Sequence, residues 1–132
     1  MAKATRALAS AKLLLADGDL DGACNRAYYA MFDAAHAALL WAGAHVNPAE
    51  TKTHSGLIAA FGEHLVKTAR LTADLGKALN QVERIRLLAD YTGEEVAADK
   101  ARWAVEQAEA FVGTVQRTLA PRKPTSAMAP QE

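Results

Sequence analysis

The chain has 132 residues, with 15 Lys+Arg balanced by 15 Asp+Glu, so its formal charge is zero. One domain of typical size is expected, and the neutral balance excludes a broadly basic coat for nucleic acid or an anionic membrane while leaving room for a local basic site. One cysteine, Cys24, excludes an internal disulfide and a Cys-based zinc cage.

Alanine supplies 31 residues and leucine 15, against nine valines and isoleucines together. Helix formers thus dominate and β-branched residues are scarce, which predicts an all-α fold. The first residues lack an apolar signal core and no stretch approaches 18 uninterrupted apolar residues, so a soluble, cytoplasmic protein away from membranes is expected.

In chain order, the first helix is predicted from Lys3 to Ala16, burying Leu8, Ala11 and Leu15. Asp17-Gly18-Asp19 stops it, because Gly takes a left-handed cap and Asp caps the next helix. The second helix runs from Leu20 to Ala42, followed by a loop bracketed by Gly43 and Pro48. A third spans Lys52 to Thr68, with Leu57, Phe61 and Leu65 at helical spacing. A fourth covers Ala73 to Asp90, and Thr92-Gly93 breaks the chain before a fifth from Ala97 to Leu119. The expected architecture is an up-and-down bundle of about five helices over residues 1–119, with residues 120–132 a disordered tail.

The second helix carries a polar arc. With Asn25 at zero and roughly 100° per residue, His36 falls near 20°, Tyr29 near 40°, Asp33 near 80° and Arg26 near 100°. The plain reading is a solvated face. The mixture of Asn, Tyr and His with two charges also fits an interface or a lined groove. On the fourth helix, Arg84 and Tyr91 share one face, and Glu83, Arg86 and Asp90 cluster on another, with Arg86 and Asp90 spaced for an ion pair. Surface ion pairs and a Tyr at the core edge account for these groups equally well.

Other chemistry is thin. Asp33 and His36 resemble half of a bundle metal site, yet no Glu-x-x-His occurs, so no metal and no cofactor are expected. Cys24 reads as packed core rather than a nucleophile. Trp41 and Trp103 read as core or interface anchors, and His45 and His64 as exposed.

The run Ala23-Cys24-Asn25-Arg26-Ala27-Tyr28-Tyr29-Ala30-Met31-Phe32, with Lys52-Thr53-His54-Ser55-Gly56-Leu57 and Arg86-Leu87-Leu88-Ala89-Asp90-Tyr91 in order behind it, resembles the HEPN domain family. Within it the chain is similar to the small stand-alone branch, over about residues 5–115. The resemblance implies a helical bundle that dimerises, with the second and fourth helices lining a shared cleft. It implies metal-independent RNA cleavage from an Arg-x4–6-His motif, and toxins paired with a minimal nucleotidyltransferase antitoxin. There Arg binds the scissile phosphate and His moves a proton.

One departure matters. From Arg84 the order is Arg-x4-Ala-x-Tyr, with Ala89 at the position of the histidine, and counting from Arg86 finds no histidine either. His54 or His36 from other helices would have to substitute. By the resemblance, the catalytic candidates are Arg84, Arg86 and His54; the cleft and nucleotide-binding candidates are Asn25, Arg26, Tyr29, Asp33, His36 and Asp90. Tyr91 stands in the register where a nucleotidyltransferase attaches nucleotides, or else anchors the fourth helix to the bundle. Three functions follow as expectations: a toxin-like HEPN homodimer that binds and cleaves RNA; a non-catalytic HEPN module for a nucleotide or a nucleotidyltransferase partner; and a purely structural adaptor.

Overall fold

A computed structural model describes residues 1–43 and 47–120. Among them lie six α-helices: α1 (Ala2–Asp17), α2 (Leu20–Trp41), α3 (Pro48–Thr51), α4 (His54–Phe61), α5 (Ala73–Thr92) and α6 (Ala98–Leu119). A single π-helical turn, Gly62–Val66, continues α4. No helix among the described residues is long and apolar enough to cross a membrane. Residues 121–132 of the expected tail, and His45, lie outside the described residues.

The bundle has about six helices rather than five, because a short extra helix, α3, forms ahead of the predicted third helix, which is α4 continued by its π turn. Pro48 opens α3 behind an Asn47 cap whose side chain accepts from the Ala49 amide, and Thr53 starts α4 by accepting from the Gly56 amide. The two short helices meet so closely that a Cβ at Gly56 would overlap the Glu50 carbonyl. The predicted fourth and fifth helices are α5 and α6. The α1–α2 turn follows expectation: Gly18 takes φ 86° and the Asp19 side chain accepts from the Gly22 amide.

On α1 the core bears out Ala11 and corrects the two leucines. Ala4, Ala7 and Ala11 form its buried face, while Leu8 and Leu15 are only partly buried. Alanines on α2 (Ala23, Ala27, Ala34) and α6 (Ala101, Ala104, Ala108) are fully buried as well. Small side chains let these backbones approach, and bulk comes from Tyr28, Met31, Phe61, Leu79 and Phe111 in the remaining volume. Helix α2 packs against α1, α4, α5 and α6, so it is the central post of the bundle. The α5–α6 connection is pinned to it where the Asp21 carboxylate accepts from the Val96 amide at 2.8 Å.

Candidate functional site

Two walls define the first groove. Helix α2 contributes Asp21, Gly22, Cys24, Asn25 and Arg26, and α5 contributes Arg86, Ala89 and Asp90 around a space of 460 Å³. Of the expected cleft residues, Asn25, Arg26, Arg86 and Asp90 therefore do come together. Ala89 stands in the wall, so the position of the motif histidine presents only a methyl group.

Arg86 is not free in that groove. Its side chain is 11 % exposed, and its guanidinium contacts Glu83 at 3.0 Å and Asp90 at 3.0 Å. It also lies 5.0 Å from the centre of the Tyr28 ring. Glu83 is itself buried, so this is a desolvated ion pair and not the surface pair that the i, i+4 spacing alone suggests. The Cys24 thiol, beneath the groove, is pushed up to about 11, first by burial. It remains a protonated, inert thiol at neutral pH. Asp21, Asp90 and Glu94 also line the groove, so its carboxylates outnumber its guanidinium groups.

The other arginine of α5 faces the opposite way. Arg84 is exposed and makes no ion pair among the described residues. It borders a 720 Å³ groove between α5 and α6 that includes Ile85, Leu88 and Trp103. It also forms one end of an exposed stripe with Leu87, Leu88 and Tyr91. Tyr91 is 94 % exposed, which overturns the reading of it as an anchor of this helix to the bundle. Trp103 is half-buried beside that groove, and Trp41, 46 % exposed, packs under the Arg70 guanidinium.

His54 belongs to a third place. At the start of α4 its imidazole is half-buried among Tyr28, Tyr29 and Phe32, with ring centres 5.2, 5.8 and 5.4 Å away. The Tyr28 hydroxyl lies 2.8 Å from His54 Nδ1. Tyr29 carries the Arg26 guanidinium over its ring at 5.6 Å. Asp33 is half-buried farther along α2, and His36 is exposed beyond it. The polar arc of α2 thus runs the length of the helix and does not converge on one site. Asp33 and His36 join no group of three metal-ligating side chains among the described residues. His64, expected to be exposed, is half-buried.

Tyr28 is the residue that sequence reasoning missed. Tyr29 shares the arc of Asn25, whereas its neighbour Tyr28 falls on the apolar side, where spacing alone reads it as core. A signal did exist: a tyrosine placed in a core needs a polar partner for its hydroxyl. His54 is that partner.

The chain matches the family model described as HEPN domain over residues 1–118. It is 33% identical over 122 residues to "UPF0332 protein glr0978" of Gloeobacter violaceus, covering 91% of this chain and 93% of the relative. It is 34% identical over 119 residues to a "UPF0332 protein" of Thermotoga maritima, covering 89% and 86%. With "Putative toxin MJ0605" of Methanocaldococcus jannaschii it shares 32% identity over 112 residues, covering 85% and 80%. No solved structure matches the chain. Helical bundle, motif register and sequence relatives agree, and this chain belongs to the HEPN domain family.

Proposed function

We propose that this protein is a toxin-lineage HEPN homodimer that binds RNA without cleaving it through the Arg-x4-His motif. The observation that carries the reading is the state of α5 at the motif. Ala89 offers no group to move a proton, and Arg86, held between Glu83 and Asp90, has its donors engaged inside the protein. Binding falls instead to arginines without carboxylate partners among the described residues, Arg26 and Arg84. Arginine is suited to phosphate through its planar fork of donors.

The stripe on α5 supports the homodimer. A two-fold axis between Leu87 and Leu88 sets Leu87 against the partner's Leu88. The same axis sets Arg84 against the partner's Tyr91, a cation–π pairing repeated on both sides. The exposure of Tyr91 favours a second reading, in which a nucleotidyltransferase partner reaches its hydroxyl. Both uses need the same stripe, so a dimer and a partner-bound monomer are alternatives at this surface.

A gel-shift assay with transfer RNA tests the main reading, with RNA length followed on a denaturing gel. Retention of full-length RNA is expected. RNA that stays unbound, or that is shortened by the wild type and spared by Arg84→Ala, overturns it.

A further inference from the structure

Resting on that RNA reading, we infer that Arg26 and His54 form the phosphate-binding site. They act on the α2–α4 edge where Arg26 also borders the motif groove, and Tyr28 is the residue that positions His54. Both lie against one ring: the Arg26 guanidinium carbon is 5.6 Å from the Tyr29 centroid, and the His54 imidazole is 5.8 Å from it. A cation, a hydrogen-bonding imidazole and an aromatic ring in one patch are the parts that single-stranded nucleic acid uses. The phosphate takes the charge and a base takes a ring face. The rest of the motif groove, beyond Arg26, is less suited, because a phosphate there meets Asp21, Asp90 and Glu94.

The Tyr28–His54 contact decides which form of the imidazole is presented. Tyr28 is fully buried, and desolvation raises its phenol well above the ordinary range, so the hydroxyl keeps its proton. A buried O–H needs an acceptor, and the one it meets among the described residues is His54 Nδ1, at 2.8 Å. In the neutral ring, the proton then resides on Nε2. His54 therefore presents an N–H donor, suited to a phosphate oxygen and unsuited to taking a proton from a ribose hydroxyl. The site binds a phosphodiester and leaves it whole, in step with the methyl group at Ala89.

Two measurements on the full chain test this. In long-range proton–nitrogen NMR spectra, His54 is expected as the Nε2–H tautomer, and Tyr28→Phe is expected to shift it toward Nδ1–H. A wild-type ring protonated on Nδ1 overturns the inference. In fluorescence anisotropy with a short single-stranded oligoribonucleotide, Arg26→Ala and His54→Ala are each expected to weaken binding about tenfold, as for loss of one charge-assisted hydrogen bond. His54→Gln, which restores an N–H donor, should recover part of that loss. Displacement by AMP marks a mononucleotide as a sufficient ligand; its failure assigns the site to the RNA chain. Arg26→Ala removes no core group, so it stays decisive if His54→Ala misfolds by circular dichroism. If the oligonucleotide binds wild type and both variants equally, this inference falls and the RNA reading stands. If it does not bind wild type at low salt, the RNA reading itself fails.

Discussion

Arg84 and Arg86 are two residues apart on one helix and have opposite surroundings. Arg86 turns inward, where Glu83, Asp90 and the Tyr28 ring enclose it. Arg84 turns outward onto Leu87, Leu88 and Tyr91, with no carboxylate partner among the described residues. At roughly 100° per residue, two positions separate side chains by most of a half-turn. An arginine in a motif is thus not by itself a phosphate ligand: the face of the helix decides whether the charge is structural or available. The inner side of α5 maintains the fold, and its outer side is an unpartnered surface.

The largest effect is expected on the inner side. Arg86→Ala leaves Glu83 buried without its counter-charge and should destabilise the protein by about 3–5 kcal/mol, the cost of breaking a buried pair by removing one partner. Arg84→Ala removes an exposed side chain and should change stability by no more than about 0.5 kcal/mol. Urea unfolding of the two variants side by side measures the difference. Equal losses would mean that the two arginines do the same work.

The outer side is tested by mass rather than by stability. A homodimer through the Leu87–Leu88 axis should sediment at twice the chain mass of 14.0 kDa. Leu88→Glu, which sets a carboxylate against an apolar partner surface, should return it to 14.0 kDa with its helical spectrum intact. Wild-type protein that already sediments at the single-chain mass at micromolar concentration would remove the dimer from the proposal.

Much of this molecule is legible in its sequence, and the illegible parts have physical causes. Helices α2, α5 and α6 follow from apolar spacing and from breakers such as Gly18 and Gly93, both at positive φ. The third predicted helix, spaced by Leu57, Phe61 and Leu65, is α4 with its π turn; what spacing does not reveal is the short α3 ahead of it, which the caps at Asn47 and Thr53 set locally. On α1 the predicted Ala11 is buried, yet Ala4 and Ala7 join it in place of Leu8 and Leu15, because periodicity does not reveal how closely a neighbouring backbone approaches. At the site, the Glu83–Arg86–Asp90 cluster is readable from i, i+3 and i, i+4 spacing, although its burial is not. The Tyr28–His54 contact joins residues 26 apart on different helices, and no spacing within one helix encodes it.

Tyr91 supplies the smallest expected effect and the sharpest test of which way α5 faces. Its ring makes almost no use of the protomer's interior, being 94 % exposed. Tyr91→Ala should therefore leave the unfolding free energy of dilute, monomeric protein within about 0.5 kcal/mol of the parent. A tyrosine anchoring α5 to the bundle would instead cost about 3–5 kcal/mol on truncation, as large aromatic side chains do in cores. The measurement is made under dissociating conditions because a Tyr91 packed on a partner would also lose stability on truncation. A near-zero effect in the monomer with a weakened dimer places the whole contribution of Tyr91 in the surface it shares with Arg84. A multi-kilocalorie loss in the monomer would fold Tyr91 back into the core and erase the distinction between the two sides of this helix.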